Sequence, residues 1–174
     1  MNDSTHHYGA VTRVLHWATA LLILSQFLKF GDRINDGEHW IGQTLVPTHI
    51  SLGLLVLALV VFRVVWAIRQ RSQRPQHEGP TTLLVKGGHG LLYLSMLLMP
   101  LTGILYMVGN GYGLGAFGVQ LIEKSGAETG WMLALGSLHS PIAWLFLVLV
   151  TGHIAAALYH HFVVKDDTLR RMAG

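Results

Sequence analysis

Histidine is the residue type in this chain that is best suited to chemistry. The sequence has 11 histidines and no cysteine among its 174 residues. Without thiolates the chain forms no disulfide, no iron–sulfur cluster and no covalently attached c-type haem. Seven histidines lie within or directly after long apolar runs: His16, His49, His89, His139, His153, His160 and His161. An ionisable side chain inside a membrane helix is costly, so this pattern predicts a functional site.

Four apolar segments must position these histidines. They cover about residues 11–30, 45–68, 83–108 and 133–164, and each reaches the ~20 residues that a helix needs to cross a bilayer. Charged residues make up only 12% of the chain, about half the usual share of a soluble domain. The sequence therefore predicts an all-α membrane protein, a four-transmembrane-helix bundle forming one domain over residues 1–174. No nucleic-acid-binding motif is present.

The basic residues predict the orientation of the bundle. The N-terminus, the loop between the second and third spans and the C-terminus together carry nine Lys and Arg against four acidic residues. The opposite side carries three against five. Cytoplasmic loops of membrane proteins carry an excess of Lys and Arg. We therefore expect both termini in the cytoplasm, and the net charge of +3 needs no anionic substrate to explain it.

Depth and helical phase sort four of the histidines into two pairs. His139 and His153 are 14 residues apart in the fourth span, a rise of ~21 Å with a change of facing direction of only ~40°. With the predicted topology His49 matches the outer depth of His139, and His16 matches the inner depth of His153. Each pair can hold a flat ligand between facing helices, which favours two haems with bis-histidine ligation.

Arg63 and several glycines support this interpretation. Arg63 also follows His49 by 14 residues, which places it at the inner depth, where a haem propionate would be a suitable bidentate partner. Gly53 lies one turn after His49 and permits the close approach of a porphyrin. Interhelical hydrogen bonding by the histidines and a zinc site are the alternatives, but zinc requires its ligands at one depth.

The segment from Gly109 to Gly130 is long and rich in glycine. It follows a membrane helix and not a strand, so it is not a phosphate-binding loop. We expect a flexible turn on the outer side. Pro100 and Gly103 lie within the third span, and they predict a bend there.

Four pieces of the sequence resemble the bacterial cytochrome b561 family, which is related to the cytochrome b subunits of hydrogenases and formate dehydrogenases. The matching pieces are Leu15-His16-Trp17, the His49…Gly53…Arg63 pattern, Gly88-His89 with Leu92-Tyr93, and the block from Gly152 to Arg170. The similarity extends over almost the whole chain, and the last block is the most specific. The family usually has asparagine where Asp167 stands.

The resemblance implies two haems b held by four helices and electron exchange with ubiquinone in the bacterial inner membrane. His160, Lys165 and Asp166 are then candidate quinone contacts, with anchoring in the lipid headgroups as the alternative for Lys165 and Asp166. His89 could contact a propionate or replace His16 or His153 as a ligand. Membrane lipid surrounds the bundle, and an electron donor or acceptor meets the outer haem.

Three functions remain open at this point. The first is a ubiquinone-linked oxidoreductase, with superoxide as a candidate donor in view of the resemblance. The second is a membrane anchor subunit that relays electrons for a dehydrogenase, since the chain carries no catalytic domain of its own. The third is a histidine-lined proton or metal transporter, which would contain no chromophore.

Overall fold

A computed structural model describes residues 2–33, 38–75 and 80–173. Helix α1 (Ala10–Gln26) continues into a 3₁₀ turn (Phe27–Arg33), and a short α2 (Trp40–Thr44) with a second 3₁₀ turn (Val46–Thr48) leads into α3 (His49–Arg69). After α4 (Thr82–Gly109) come strands β1 (Leu114–Ala116) and β2 (Val119–Ile122). The chain ends with α5 (Gly130–Gly136), α6 (His139–Tyr159), a π-helical turn (His160–Val164) and α7 (Arg170–Ala173).

The prediction of a four-span helical membrane protein is confirmed. Among the described residues, four helical stretches are long and apolar enough to cross a bilayer: Ala10–Gly31, Trp40–Arg69, Thr82–Gly109 and Gly130–Val164. Helices α3 and α6 have 21 residues each, so each is ~30 Å long and matches the hydrocarbon thickness. The side of the membrane on which the termini lie stays a prediction.

Two predicted boundaries differ from the structure. The second span was expected to be helical from residue 45, but the regular helix α3 begins at His49, after the 3₁₀ turn. The fourth span was expected to be continuous, yet α5 ends at Gly136 and α6 begins at His139. Helix α4 runs unbroken through Pro100, and the bend expected there stays a prediction.

Packing at the centre of the bundle is apolar and tight. Ile23 of α1, Val56 and Val60 of α3, Met96 of α4 and Phe146 of α6 form one buried cluster. Other large apolar side chains point outward, as lipid-facing residues do. Because lipid tails are as apolar as these side chains, packing and small residues rather than hydrophobic expulsion hold such helices together.

Glycine allows α5 to lie directly against α4. A Cβ atom at Gly109 would come within 2.8 Å of the Met132 Cβ, and one at Gly136 within 2.6 Å of the Tyr106 backbone nitrogen. Real Cβ atoms do not approach other atoms so closely. The start of the fourth span is therefore fixed to the end of the third, just before His139.

The segment between α4 and α5 corrects the expectation of a flexible turn. Strands β1 and β2 form an antiparallel hairpin in which Ala116 pairs with Val119 and Leu114 pairs with Ile122. The glycines have a structural reason at Gly113, whose φ is +70° and whose Cβ would lie 2.5 Å from the Ile122 carbonyl oxygen. The glycine-rich stretch that predicted a flexible turn therefore contains a β-hairpin and the glycines that its backbone requires.

At the end of the bundle away from the hairpin, a buried carboxylate holds the N-terminal segment in place. The Asp3 side chain has no exposed surface, and it accepts hydrogen bonds from Gly9 N–H at 2.8 Å and the Thr12 hydroxyl at 2.7 Å. Arg74 Nε lies 2.9 Å from its other oxygen. The Trp66 indole donates to the Thr12 hydroxyl at 2.9 Å. We call Asp3, Gly9, Thr12 and Arg74 the terminal clasp, because they join the start of α1 to the end of α3.

The C-terminal helix lies against the same region. Tyr8 N–H donates to the Arg171 carbonyl at 3.3 Å, and the Trp17 indole donates to the Met172 carbonyl at 3.2 Å. Burial raises the pKa of Tyr8 above its ordinary value. Both termini therefore pack at one end of the bundle, here called the terminal end. The opposite end, which carries β1 and β2, is called the hairpin end.

Candidate functional site

Two histidine rings face each other at the hairpin end. His49 is the first residue of α3 and His139 the first of α6. Their ring centres are 6.1 Å apart and their planes are inclined by 88°. Two imidazoles that bind one metal ion from opposite sides have ring centres ~6 Å apart, because each metal–nitrogen bond is ~2 Å long. The spacing therefore suits an axial ligand pair.

The orientation of the His139 ring is fixed by α4. Its Nδ1 lies 2.8 Å from the Met99 carbonyl oxygen, to which it donates. The proton is thereby held on Nδ1, which leaves Nε2 as the nitrogen that can bind a metal ion. A Cβ atom at Gly103 would lie 3.1 Å from His139 Cε1 and 3.2 Å from its Nδ1. Gly103 thus makes room for the ring, a role that the sequence analysis missed when it considered this residue only for a bend.

A second pair of rings lies at the terminal end. His16 of α1 and His153 of α6 have ring centres 6.3 Å apart, with their planes inclined by 59°. The two pairs have nearly the same spacing, at two levels of the bundle joined by α6. The chain therefore offers two separate bis-imidazole sites, one at each end.

The terminal end also contains a third ring. The centre of His89 lies 5.5 Å from that of His153, with an angle of 82° between the planes. His89 is exposed at its site on α4, and its Nδ1 lies 2.7 Å from the Val85 carbonyl oxygen. This hydrogen bond would leave Nε2 as its metal-binding nitrogen. The structure therefore brings both predicted partners of His153, namely His16 and His89, next to it.

Arg63 also lies at the terminal end. Its Nη2 is 3.3 Å from His16 Nδ1, and its guanidinium carbon is 5.5 Å from the centre of the Tyr93 ring. Guanidinium can only donate, so this contact requires a lone pair on Nδ1 and a proton on Nε2. Metal binding at Nε2 requires the opposite tautomer. Binding through His16 would thus release Arg63, whose two-pronged donor group could then serve a carboxylate.

The other candidate residues lie at the end of the fourth span and just beyond it. His160 Nδ1 lies 2.6 Å from Asp166 Oδ2, and Thr168 N–H donates to Oδ1 at 2.8 Å. The hydrogen bond from His160 and then that from Thr168 hold the pKa of Asp166 at about 2. Lys165, which lies between His160 and Asp166 in the sequence, has a left-handed backbone with φ +59° and is exposed. The sharp turn after the π-helical segment therefore folds the carboxylate back onto the imidazole.

Gly53 does not owe its small size to neighbouring protein atoms. A Cβ atom there would be in ordinary contact with Gln26 Oε1 at 3.8 Å. In contrast to Gly103, packing between side chains of this protein leaves Gly53 without a steric explanation. Its predicted role next to a porphyrin stays a prediction.

The donor set fits haem better than a bare metal ion. Among the described residues, no group of three or more His, Asp or Glu side chains is arranged to hold a metal ion. The histidines instead come as opposed rings with a glycine cradle at His139 and a cation near His16. Paired imidazoles with a nearby guanidinium suit a planar iron group that carries carboxylates.

Comparison with known proteins agrees with this chemistry. Residues 7–174 match the family described as prokaryotic cytochrome b561. The chain is 29% identical to cytochrome b561 homolog 2 of Escherichia coli K12, with 99% of this chain and 94% of the relative aligned. It is 26% identical to a probable superoxide oxidase, CybB, of Yersinia pestis, with 95% and 94% aligned. It is 27% identical to a cytochrome b562 of Cereibacter sphaeroides, again with 95% and 94% aligned.

Proposed function

The chain belongs to the prokaryotic cytochrome b561 family, whose members are haem-b membrane proteins of electron transport, and from that premise we propose a di-haem carrier that exchanges electrons with ubiquinone. One observation carries the proposal. Opposed histidine rings occur twice, with centres 6.1 Å and 6.3 Å apart, at two levels along the same helix. Haem bound between them supplies one-electron redox chemistry, and the protein sets ligation and local charge.

The chain's own residues would divide the work as follows. His49 with His139 would hold one haem b, and His16 with His153 the other. Met99 keeps the proton of His139 on Nδ1, and Gly103 makes room for the ring. Arg63 would turn from His16 to a propionate, as its donor geometry favours. His89 would contact a propionate of the second haem or replace His16 as its ligand.

Two residues, one in the last turn of the fourth span and one just after it, support a ubiquinone site at the terminal end. Reduction of ubiquinone consumes two protons along with two electrons, so the site needs a proton path. His160 and Asp166 form a half-buried imidazole–carboxylate pair that can pass protons from water. Lys165 is the neighbour of Asp166 in the sequence, and it would contact the quinone at the same site. The predicted orientation places this end at the cytoplasm and the hairpin end on the outer side of the bacterial inner membrane.

Superoxide is the donor that we favour at the hairpin end. The Yersinia pestis relative, which is named a probable superoxide oxidase, supports this donor. The balanced reaction oxidises two superoxide anions to two O₂ and reduces one ubiquinone, with two protons, to ubiquinol. The protein's task is to keep the two half-reactions at separate ends of the bundle.

Haem quantification with a reduced-minus-oxidised spectrum tests the proposal most directly. We expect two haems b per chain in purified protein. A count near one would remove one of the two histidine pairs from the scheme. Well-folded protein without haem would instead favour a transporter.

Activity with ubiquinone then identifies the donor. Purified protein in lipid nanodiscs should reduce a short-chain ubiquinone when superoxide is supplied, and superoxide dismutase should abolish the reaction. If the haems respond to neither reactant and the chain co-purifies with a dehydrogenase at a fixed ratio, the chain is an anchor subunit and the superoxide assignment is wrong.

A further inference from the structure

The hairpin between α4 and α5 has one strand packed against the bundle and one strand that is exposed. Leu114 and Ala116 of β1 are buried, whereas every residue of β2 is exposed. Phe117 at the tip is 66% exposed, and Val119 and Leu121 of β2 are 59% and 56% exposed. Three large apolar side chains exposed within five residues of a membrane protein call for a covering partner.

The turn at the tip places an aromatic residue where it is conformationally unfavourable. Phe117 and Gly118 link paired residues Ala116 and Val119, and their φ values are +51° and +79°. Two-residue turns with both φ values positive favour Asn, Asp and Gly. A bulky side chain in this conformation is an outlier. The turn therefore gains nothing from phenylalanine, and the reason for it must lie in what the ring contacts.

A hydrogen bond fixes the depth of this tip. Phe117 N–H donates to the hydroxyl oxygen of Ser51 at 2.9 Å. Ser51 lies in the first turn of α3, and Leu55 and Phe62 follow on the same helical face at four and eleven residues. These two side chains are 39% and 52% exposed on a membrane-spanning helix. The tip therefore extends the lipid-facing surface of α3 at the hairpin end.

Charge distinguishes the base of the hairpin from its tip. Glu123, Lys124 and Glu128 follow β2, and all three are exposed. The segment therefore has an apolar tip against a membrane helix and charged, exposed residues after its second strand. This is the arrangement of an element that lies in the interface between lipid and water, with its aromatic residue at headgroup depth.

We propose that the β1–β2 hairpin is a membrane anchor, with Phe117, Val119 and Leu121 inserted into the lipid interface at the hairpin end. The occupant of the exposed strand is the bilayer, because the tip that leads into this strand contacts α3 at Ser51, and Leu55 and Phe62 on the same side of α3 face lipid. Through the bond to Ser51 the anchor also holds the first turn of α3, which begins with His49. The proposal is independent of what the histidines bind.

Site-directed spin labelling tests the anchor, and the absence of native cysteine makes it direct. Single cysteines replace Phe117, Leu121, Leu55 and Ser125 in otherwise unchanged protein in lipid nanodiscs. Leu55→Cys is the lipid-facing reference, and Ser125→Cys, beyond β2 in the charged loop, is the aqueous reference. The Leu121→Cys variant leaves Phe117 and its turn intact, so it remains informative if Phe117→Cys disturbs the fold.

Collision of a spin label with oxygen indicates that the label lies in lipid, and collision with a water-soluble nickel chelate indicates that it lies in water. We expect the labels at positions 117 and 121 to resemble that at position 55 in oxygen access. Because the polar nickel chelate is excluded from apolar surroundings, nickel access at positions 117 and 121 should be about tenfold lower than at position 125.

Two results would overturn the anchor. Nickel access at positions 117 and 121 equal to that at position 125 would show that the hairpin projects into water. Protection from both probes at these positions would show that another protein surface, such as a second copy of the chain, covers it. As a further check, Phe117→Asn suits the turn better but removes the ring, so it should raise nickel access at a label on position 121.

Discussion

The two ends of the bundle hold histidine rings at almost the same distance but support them in different ways. At the hairpin end the ring of His139 is set by a backbone carbonyl of α4 and by the space beside Gly103. At the terminal end His16 is contacted by the side chain of Arg63, and a third ring, His89, lies beside His153. One site is thus defined by main-chain geometry and the other by movable side chains.

This difference has a physical consequence for the two sites. A carbonyl in the middle of a helix keeps its position, so the tautomer of His139 is settled before any ligand binds. The tautomer that Arg63 favours in His16 must change on metal binding. We therefore expect the hairpin end to be rigid and intolerant of substitution, and the terminal end to be adjustable in ligation and in charge.

The largest expected effect is the loss of a whole haem. His139→Ala should remove the haem at the hairpin end completely, because one axial ligand and its oriented nitrogen disappear. His16→Ala should retain part of the haem at the terminal end, because His89 can pair with His153. Haem counts and redox titrations of both variants measure the difference.

The double variant His16→Ala with His89→Ala is the control for the spare ligand, and it should lose what His16→Ala retains. Equal and complete loss in both single variants would mean that the two ends do not differ in the way described. Loss of both haems from either single variant with the fold intact would contradict the assignment of separate pairs.

A smaller but more specific effect is expected at Gly103. A Cβ atom placed 3.1 Å from His139 Cε1 must displace the ring by a few tenths of an ångström. Gly103→Ala should therefore lower haem occupancy or change the spectrum at the hairpin end, with the terminal end unchanged. Gly87→Ala on the same helix meets no atom within 4 Å and is the matched control. A Gly103→Ala spectrum identical to that of Gly87→Ala would remove the cradle from the scheme.

Charge should matter mainly at the terminal end. Arg63→Gln removes a cation that stabilises the reduced, less positive iron, so the midpoint potential of that haem should fall. If the reduced haem loses ~1.4 kcal/mol of electrostatic stabilisation, its midpoint potential falls by about 60 mV, since one electron is transferred. Potentiometric titration would follow both haems, with the exposed Arg69→Gln as the control on the same helix. A fall of the same size at the hairpin end would show that the effect is not local.

The smallest effect concerns Asp166, which lies at the surface. Its pKa in the folded protein is about 2, below the ordinary 3.8. A lowered carboxyl pKa stabilises the fold above pH ~4, and this contribution disappears as the pH falls through ~2. The stability difference between wild type and Asp166→Asn should therefore shrink over this range in thermal melts. Asp167→Asn leaves the His160 contact in place and should show no such trend, while a difference constant down to pH 2 would contradict the lowered pKa.

Periodicity along single helices was enough to predict the main architecture. Span lengths identified four membrane crossings, and the 14-residue interval from His139 to His153 placed two rings at two levels. These features depend on the pitch of one helix and on the thickness of the bilayer, both of which are known in advance. They need no knowledge of which helix touches which.

Features that depend on contact between helices could not be read in the same way. Gly103 is needed because the ring of His139, 36 residues later in the sequence, packs beside it. Asp3 is the centre of the terminal clasp because Arg74 comes within 2.9 Å, and no local pattern announces either contact. The hairpin was missed because its turn contains Phe117 where Asn or Gly would have been the recognisable signal.

Sequence separation along the chain also implies an order of assembly. The ring of His139 finds its carbonyl only 40 positions back, and α5 locks onto α4 through Gly109 and Gly136. The contact of Trp17 with Met172, in contrast, spans 155 positions. Closing the longer loop costs more entropy and slows folding. We therefore expect α4 to α6 to insert as an early unit and α1 to be clasped last, which pulsed hydrogen exchange during refolding into lipid would detect as late protection of α1.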